Sequence, residues 1–297
     1  MYTQYLDLET REGKGIILWP VPYEGTASFA KGTANGPGAI LRASYEIETW
    51  DQELGIDLAD LANFQTLPFF RAPASGPEDM YQQMLSYLKS QISPQEDFLL
   101  TLGGEHSIAL APIELYQQYY PEMAVLHLDA HADFRESFQS SRYSHACVMS
   151  RVAELGLPIV SLGVRSLSKQ EQQKIYAKER SKFVTFFAWD LTDPEKIAAE
   201  VRDFLGQRPL YITFDADVLD PSIMPGTGTP EPGGLSFNWL NHFWFHLFPN
   251  LSLLGMDFCE LSPLPACGVV SESVAVRCIN KILASSLLHS SRTVSRT

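Results

Sequence analysis

A buried strand that ends in two carboxylates constrains this sequence most. Residues 211–214 are aromatic or β-branched, which is typical of a strand inside a sheet, and Asp215 and Asp217 follow at once. If the strand continues through them, positions i and i+2 point the same way. Two carboxylates side by side at the end of an apolar strand are costly unless a positive charge lies between them. The stretch 210–234, which continues as a Pro- and Gly-rich loop, therefore predicts a cation site.

Apolar segments alternate with segments of helical periodicity along the chain. Strands are predicted at residues 15–20, 64–67, 97–102, 124–128, 159–164, 183–188, 210–214 and 251–258. Helices are predicted at residues 39–45, 77–92, 108–119, 143–155, 169–178, 194–205, 235–248 and 271–288. This alternation indicates parallel β-α units with helices on both faces of one sheet. No composition shift marks a linker, so we expect a single α/β domain over residues 1–297, with a frayed polar tail at about residues 290–297.

Composition and charge exclude several classes of protein. The chain has 297 residues, 45% of them hydrophobic and 19% charged, which is ordinary for a globular protein. A formal net charge of −13 disfavours nucleic acid or an anionic membrane as partner and suits a cationic substrate. No apolar run is long enough to span a bilayer, and the N-terminus does not resemble a signal peptide. The cysteines form no CxxC pair, so we expect reduced thiols in a cytoplasmic protein; they are Cys147, Cys259, Cys267 and Cys278.

The strand predicted at residues 124–128 runs directly into Asp129, His131 and Asp133. An extended segment would aim side chains at i, i+2 and i+4 at one place. The alternative is a solvated loop with capping aspartates. His127 has the same parity but lies one step deeper, so we expect it in the core, beside a ligand rather than on a metal.

A third cluster follows the strand predicted at residues 97–102, where Gly103 and Gly104 precede Glu105 and His106. The glycines let the backbone turn sharply between strand and helix. A lone histidine here would more often be structural, but the two carboxylate clusters favour metal ligation by His106. Glu105 would support a ligand or place a charge at a helix N-terminus. The Gly-rich loop at residues 21–38 lacks the Gly-Lys-Ser/Thr end of a phosphate loop and is expected at the mouth of the site.

The three clusters together form an oxygen-rich ligand set with some imidazole and no thiolate. Because ligands bind at the carboxyl ends of the strands in open α/β sheets, we expect the clusters to meet. Six ligands, some of them shared, suit two metal ions better than one, and four carboxylates balance two divalent charges. Mn²⁺ is favoured, with Zn²⁺, Co²⁺ or Ni²⁺ as competitors in vitro. The predicted metal ligands are His106, Asp129, His131, Asp133, Asp215 and Asp217.

Five motifs, in this order, resemble those of the ureohydrolases, the arginase and agmatinase family. They are GGEHS at residues 103–107, DAHAD at 129–133, SHACVM at 144–149, FDADVLDPSIMPGTGTPEPGG at 214–234 and MDFCELSP at 256–263. The resemblance covers nearly the whole chain and is greatest to the bacterial agmatinases. It implies a three-layer α/β/α sandwich with a mostly parallel sheet, two Mn²⁺ per chain, and a homotrimer or homohexamer. GGEHS departs from the commoner GGDHS, and Ala216 stands where a larger aliphatic residue is usual.

The resemblance also implies roles for individual residues. His106 and Asp133 would bind one Mn²⁺, His131 and Asp217 the other, and Asp129 and Asp215 would bridge the two ions. Two further residues complete the implied site: His145 matches the proton-shuttling histidine and Glu260 the carboxylate that holds the guanidinium group. The alternatives are a surface histidine at a helix N-terminus and a buried structural carboxylate, respectively.

This residue set fits hydrolysis of a guanidino compound to urea and an amine. Metal ions lower the pKa of a bound water, and Asp133 would hydrogen-bond the resulting nucleophile and pass its proton toward the leaving amine. His145 would relay protons to solvent, and Glu260 is the geometric match for a guanidinium group. Asp133, His145 and Glu260 are therefore the predicted catalytic residues, and His145 and Glu260 are also predicted to contact the substrate.

Agmatine is the predicted substrate, with putrescine and urea as products. Arg135 stands where arginases have an asparagine that contacts the amino-acid end of arginine, and the ammonium of agmatine suits an acidic protein. Guanidinobutyrase, guanidinopropionase and arginase activities remain alternatives, because these relatives share the motifs. Two alternatives come from other classes: a metal-dependent amidase or deacetylase, and a metal-binding scaffold without turnover.

Overall fold

The computed structural model describes residues 4–6, 14–177, 181–263 and 269–294. Its strands are β1 (Lys14–Val21), β2 (Trp50–Asp51), β3 (Ile56–Asp57), β4 (Ala62–Thr66), β5 (Phe98–Gly103), β6 (Ala124–Leu128), β7 (Ile159–Val164), β8 (Phe183–Phe187), β9 (Leu210–Asp215) and β10 (Leu253–Cys259). Its α-helices are α1 (Gly36–Ser44), α2 (Leu58–Leu61), α3 (Pro77–Gln91), α4 (Leu110–Tyr119), α5 (Val148–Glu154), α6 (Lys169–Ala177), α7 (Pro194–Leu205), α8 (Phe237–Leu247) and α9 (Val270–Val294).

The described chain builds an eight-stranded sheet in the order β4-β1-β5-β10-β9-β6-β7-β8. Each neighbouring pair of these strands is parallel. Helices connect the strands because a parallel neighbour can be reached only by a crossover. The α/β class and the parallel sheet predicted from the sequence are confirmed.

Helices cover both faces of the sheet and create two hydrophobic clusters. Alternate strand residues point to opposite faces, so Leu100 packs in one cluster and Leu99 in the other. The first cluster includes side chains of α1, α7, α8 and α9, and the second includes side chains of α3, α4, α5 and α6. The central strands are buried on both faces, which explains their nearly continuous apolar sequence. The predicted three-layer α/β/α architecture is confirmed.

The structure differs from the sequence prediction in three places. Residues 50–57 form an antiparallel hairpin of β2 and β3, followed by α2, where no regular structure beyond one short strand was expected. Helix α9 continues to Val294 rather than ending at Leu288, so the predicted frayed tail is helical up to that residue, and residues 295–297 lie outside the described chain. The helix predicted at residues 108–119 begins as a 3₁₀ turn at His106–Ala109.

Two further expectations concern cysteines and membranes. Cys147, Cys259 and Cys278 are buried free thiols, and Cys267 lies outside the described residues. None of the helices that the structure describes is long and apolar enough to cross a membrane.

Five adjacent strands, β1, β5, β10, β9 and β6, end at one edge of the sheet. Their register places Gly103 of β5 beside Val21 of β1, and Cys259 of β10 beside Asp215 of β9. The segments that follow these strands carry the motifs found in the sequence. The sheet itself therefore brings together residues that are more than a hundred positions apart.

Gly104 lies where three of these strand ends touch. Its N–H donates to the Val21 carbonyl at 2.9 Å, and its carbonyl accepts from the Glu260 N–H at 2.7 Å. A Cβ at Gly104 would lie 2.0 Å from the Tyr23 carbonyl oxygen, closer than any side chain can pack. A side chain here would push the loop after β1 away from the loop after β5.

We predict that Gly104→Ala lowers the melting temperature, because overpacking a tight site costs about 1–3 kcal/mol. Thermal unfolding followed by circular dichroism measures the change. Gly38→Ala in α1 is the matched control, since a Cβ there meets nothing within 4 Å, and alanine is favoured over glycine in a helix by about 0.5–1 kcal/mol. Similar melting of the two variants would contradict the close packing at Gly104.

Candidate metal centre and active site

The predicted site residues come together at the carboxyl edge of β5, β10, β9 and β6. A cavity of about 340 Å³ opens there, and six of the predicted side chains line it: His106, His131, Asp133, His145, Asp215 and Glu260. Asp129 and Asp217 lie beneath this wall, 3.1 Å from His106 Nδ1 and 3.0 Å from His131 Nδ1, respectively. The structure thus assembles all eight residues at one place.

Three carboxylates surround Nδ1 of His106. The distances from this nitrogen are 3.1 Å to Asp129 Oδ2, 3.2 Å to Asp133 Oδ2 and 3.4 Å to Asp215 Oδ2. His106 is buried, because the sharp turn after Gly103 carries it under the cavity floor. Its ring and the three carboxylates form one half of the cluster.

Asp129 connects this half to a second one built around His131. Oδ2 of Asp129 faces His106, whereas Oδ1 lies 3.5 Å from His131 Nδ1. His131 Nδ1 also lies 3.0 Å from Asp217 Oδ2. One carboxylate is thus shared between two His/Asp groups, and the bridging role of Asp129 stays a prediction.

The charges in the cluster shift its pKa values in opposite directions. Burial raises the pKa of Asp215 well above its usual value, and the neighbouring charges of Asp217 and Asp129 add to the effect. Burial also raises the pKa of Asp133, with the Asp129 charge next in importance. Burial acts the same way on Asp129, but hydrogen bonds from three histidines outweigh it and hold its pKa well below the usual value.

The two ring nitrogens at the centre respond to the same carboxylates. Burial lowers the pKa of His131, but the charge of Asp217 and the hydrogen bonds to Asp129 and Asp217 outweigh it and raise the pKa to about 12. The pKa of His106 is likewise raised well above its usual value, since its carboxylate partners outweigh burial. Each Nδ1 lies so close to anionic oxygens that a proton or a metal ion must lie between them.

The chemistry of these residues fits metal binding. Two groups of side chains offer ligand atoms within 4.8 Å of one another, one containing His106, His127, Asp129 and Asp133 and the other Asp129, His131 and Asp217. The groups share Asp129, and the donors are oxygen and imidazole nitrogen without thiolate. Asp215 contacts His106 but belongs to neither group, so its predicted bridging role stays a prediction.

Polar side chains behind the cluster hold its ligands in place. His106 Nε2 lies 2.8 Å from Thr213 Oγ1, which donates to Asp257 Oδ1 at 2.8 Å. His127 Nε2 lies 2.9 Å from Asp129 Oδ2, and its Nδ1 lies 3.1 Å from Ser161 Oγ. Supporting contacts of this kind orient metal-binding side chains. Both nitrogens of His127 are engaged, which fits the predicted place of this residue beside a ligand.

His145 and Glu260 lie on the cavity wall above the cluster. His145 Nδ1 lies 2.9 Å from Thr26 Oγ1, and the ring of Phe138 packs edge-on against the imidazole at 5.7 Å. Glu260 Oε1 accepts from the main-chain N–H of His106 at 2.7 Å. Burial raises the pKa of Glu260 well above its usual value, and the charge of Glu105 adds to the effect. A cation bound beside Glu260 would reverse this penalty.

The Pro- and Gly-rich loop after β9 forms part of the wall, as predicted. Thr229 lines the cavity, and its hydroxyl donates to Asp217 Oδ2 at 3.0 Å. Arg165 holds the loop from behind: its guanidinium donates to the carbonyls of Asp217 at 2.6 Å and Glu231 at 2.9 Å. The loop therefore has a fixed position relative to the ligand Asp217.

The backbone near Asp217 is not the continued strand that the sequence prediction assumed, in which alternate side chains point the same way. Asp215 is the last residue of β9, but Asp217 lies in a 3₁₀ turn, Ala216–Val218, where its N–H donates to Asp215 Oδ1 at 2.8 Å. Asp133 has a φ of 51° and Glu260 a φ of 63°, a left-handed conformation that is costly for these residues. Side chains converge because the backbone turns, not because the strands continue.

The sequence reasoning missed several supporting residues. Thr26 lies in the loop after β1, which was expected at the mouth of the site, yet no spacing linked it to His145. Thr213 and Asp257 lie inside β9 and β10, and a polar residue within an otherwise apolar strand was the available signal. Glu105, for which the sequence left open a supporting role or a helix N-terminal charge, lies buried at the start of the turn that carries His106.

The far end of the cavity is lined by Arg135 and Glu171. Arg135 Nε lies 3.7 Å from Glu171 Oε2, and its guanidinium stacks over Phe138 at 4.8 Å. Glu171 also accepts from the main-chain N–H groups of Phe134 and Ser168. Arg135, the residue that distinguished this sequence from arginases, is thus part of the wall of the same cavity.

The fold and the site define an α/β protein with a buried imidazole–carboxylate cluster suited to metal. Comparison with known proteins agrees: the family model described as the arginase family matches residues 14–284. The N(1)-aminopropylagmatine ureohydrolase of Synechocystis sp. is 33% identical over 273 residues, 90% of this chain and 88% of that protein. The agmatinase of Bacillus cereus is 33% identical over 260 residues, 85% of each chain.

A solved structure gives the same result. The agmatine ureohydrolase of Thermoplasma volcanium is 26% identical and superposes with a TM-score of 0.78, covering 95% of this chain and 92% of that one. The chain belongs to the arginase family. It is an agmatinase-like member of this family of hydrolases, which confirms the resemblance seen in the motifs.

We predict that Asp215→Asn stabilises the metal-free protein at about pH 8. The pKa of Asp215 is raised in the folded state, so the folded protein binds this proton more tightly and its ionisation destabilises the fold as pH rises above the unfolded value. The gain in melting temperature should shrink as pH falls below the pKa of the unfolded state, about 3.9, because the wild-type carboxyl then keeps its proton in both states. The same variant should lose most of the Mn²⁺-dependent rise in melting temperature.

Asp220→Asn is a control for which the opposite change in melting temperature is expected. Hydrogen bonds from Ser222, followed by those from Gly234 and Gly233, lower the pKa of Asp220 to about 2. Its ionised form therefore stabilises the fold above the usual pKa range, and this stabilisation is lost as pH falls toward 2. Asparagine here should lower the melting temperature at about pH 8. If Asp215→Asn also lowered it in the metal-free protein, the account of the cluster would be wrong.

Proposed function

We propose that the protein is a ureohydrolase that uses two Mn²⁺ ions to hydrolyse agmatine to urea and putrescine. The observation that carries the proposal is the sharing of Asp129 between two His/Asp groups, with Glu260 on the wall of the same cavity. Two metal positions next to a carboxylate that needs a cation are what hydrolysis of a guanidinium group requires. Membership of the arginase family supports the same reaction class.

The ligand roles follow the two halves of the cluster. His106 and Asp133 would hold one ion and His131 and Asp217 the other, with Asp129 and Asp215 shared between them. When bound, two such ions lower the pKa of a water molecule toward neutrality, and they polarise the atom that is attacked. The four carboxylates would balance two divalent charges, which would offset both the burial and the mutual repulsion that raise the pKa of Asp215 and Asp133.

Glu260 would bind the guanidinium group and fix its distance from the cluster. A carboxylate can accept two parallel N–H bonds from a guanidinium, and such charge-assisted pairs are the stronger ones. Among the described residues, the hydrogen bond to this carboxylate comes from the His106 N–H. Binding of substrate would thus place a planar cation beside the side chain that most needs one, with the reacting carbon near the cluster.

Asp133 and His145 would handle protons. Asp133 lies 3.2 Å from His106 Nδ1 and lines the cavity, so its carboxylate can accept a proton there and deliver it toward the leaving amine. His145 lines the same cavity and is half-buried, between Thr26 on one side and Phe138 on another. Its position fits exchange of protons between the site and solvent.

The far end of the substrate decides between agmatine and its relatives. Agmatine carries an ammonium, and the acidic chain favours a cation over the carboxylates of arginine or guanidinobutyrate. A second candidate is N(1)-aminopropylagmatine, which extends the same ammonium by an aminopropyl group, because two relatives at 33% and 34% identity are named as ureohydrolases of this compound.

We further propose that the chain is a single domain, that the protein is cytoplasmic, and that it assembles as a homotrimer or homohexamer, as the family resemblance implies.

A urea-release screen on the Mn²⁺-loaded protein tests the substrate assignment. It compares agmatine, N(1)-aminopropylagmatine, arginine, guanidinobutyrate, guanidinopropionate and guanidine by kcat/KM. We expect the two cationic-tailed substrates to exceed arginine, and agmatine to be used at least as well as its aminopropyl derivative. Arginine as the best substrate would contradict the proposal, as would a metal content well below two ions per active chain.

Replacement of Glu260 separates substrate binding from metal binding. Glu260→Gln should lower kcat/KM for agmatine by about 30- to 5,000-fold, since losing one partner of a buried charge pair costs about 2–5 kcal/mol. Metal content, measured by elemental analysis, should not change. Glu136→Gln is the control, because Glu136 pairs with Arg151 outside the cavity wall. Loss of metal in Glu260→Gln, or equal activity of the two variants, would overturn the role of Glu260.

A further inference from the structure

We propose that Thr26 and Glu105 are positioning residues that hold His145 and fix which of its ring nitrogens exchanges protons with the cavity. The three side chains form a continuous carboxylate–hydroxyl–imidazole chain. The inference rests on the proposed function, in which His145 carries protons to and from the site. Neither Thr26 nor Glu105 lines the cavity, so both act through the imidazole.

Glu105 anchors the loop that carries Thr26. The main-chain N–H of Thr26 donates to Glu105 Oε2 at 2.6 Å, and its hydroxyl donates to Glu105 Oε1 at 2.7 Å. Ser107 Oγ donates to the same Oε1 at 2.6 Å. Glu105 is fully buried and Thr26 nearly so. Each of these contacts brings a donor to the carboxylate, which is what an ionised carboxylate accepts.

The hydroxyl of Thr26 can donate only one proton, and Glu105 takes it. The oxygen of that hydroxyl must then act as an acceptor toward His145, whose main-chain N–H lies 3.1 Å and whose Nδ1 lies 2.9 Å away. Ser144 Oγ also faces this nitrogen, but at 3.4 Å it is the more distant of the two hydroxyls. The lone pair of the nearer Thr26 oxygen is matched when Nδ1 carries a proton. The neutral imidazole therefore keeps its proton on Nδ1, and Nε2 is the nitrogen that accepts and releases protons.

This arrangement also fixes the direction of the ring. The two contacts from His145 to a single oxygen pin the main chain and the ring together, while Phe138 packs edge-on against the imidazole. Among the described residues, Nε2 of His145 makes no hydrogen bond to the protein. An ordered ring with a single open nitrogen is suited to proton exchange in the cavity, whereas a ring free to change tautomer or rotate would be correctly placed only part of the time.

The position of Glu105 connects this chain to the metal cluster. Glu105 immediately precedes His106, and its own N–H donates to the Tyr23 carbonyl at 2.8 Å. The end of β5 thus sets the position of a predicted metal ligand, His106. Through Thr26 it also sets the position of His145, although Thr26 and His145 are 119 residues apart in sequence. Removing the Thr26 hydroxyl should leave the metal ligands in place but release the imidazole.

Thr26→Val is the direct test, because valine keeps the shape of threonine and removes only the hydroxyl. We expect kcat for urea release to fall by about 10- to 100-fold, as for other partners that orient an active-site imidazole, with KM within about twofold and metal content unchanged. Thr26→Ser should restore most of kcat, since it restores the hydroxyl. Thr101→Val is the matched control: Thr101 is a buried threonine of β5 whose hydroxyl makes no hydrogen bond within the described part of the chain, so activity should not change.

A double-mutant cycle with His145→Asn distinguishes positioning from a structural role. If Thr26 acts through the imidazole, Thr26→Val should cost little further activity once His145 is replaced. An equal loss of kcat in both backgrounds, or failure of serine to rescue, would overturn the inference while leaving the proposed reaction intact. A wild-type protein that releases no urea from any of the guanidino compounds would instead overturn the proposed function, and the inference with it.

Discussion

The structure depends on the burial of four aspartates around two histidines at one edge of a parallel sheet. Burial raises the pKa of Asp215 and Asp133, and the charges of neighbouring carboxylates add to the effect. The histidines offset part of the cost, since their own pKa values are raised by the same carboxylates. A protein stable enough to keep such a cluster needs a large apolar core, and the two helical layers supply it on both faces of the sheet.

That core also restrains the ends of the strands that carry the site. The four central strands that carry the cluster are buried on both faces, so their ends cannot move independently. The remaining freedom lies in the turns after the strands, and hydrogen bonds between turns remove much of it. Glu260 N–H donates to the Gly104 carbonyl, and Arg165 holds the carbonyls of the loop after β9. The left-handed φ angles of Asp133 and Glu260 are tolerated because the surrounding structure holds the backbone in this conformation.

Sequence reasoning predicted the main sheet and its layers, and the eight residues that it proposed for the site lie together in the structure. Each of them lies next to an apolar strand or in a recognisable motif. It failed where structure depends on contacts between distant segments. The hairpin of β2 and β3 has too little apolar periodicity to be recognised. Thr26 was missed because its partner Glu105 is 79 residues away and His145 is farther still. Strand parity predicted that Asp215 and Asp217 lie close together, and they do, but for a different reason, since Asp217 lies in a 3₁₀ turn.

The hydrogen bond from the main-chain N–H of His106 to Glu260 Oε1 fixes the position of one side of the site relative to the other. Glu260, the residue proposed to hold the substrate, is thereby joined to His106, a residue proposed to hold metal. The distance between the guanidinium group and the cluster would then be set by one short hydrogen bond rather than by two flexible side chains. Glu105 positions His145 in a similar way, through hydrogen bonds that Thr26 makes to both residues. The residues proposed for substrate binding, metal binding and proton transfer are therefore all positioned relative to the end of β5. A small displacement there would misplace all three functions together, and misplacements of about 1 Å are already costly to catalysis. This explains why Gly104, the residue with no room for a side chain, lies at that point of the chain.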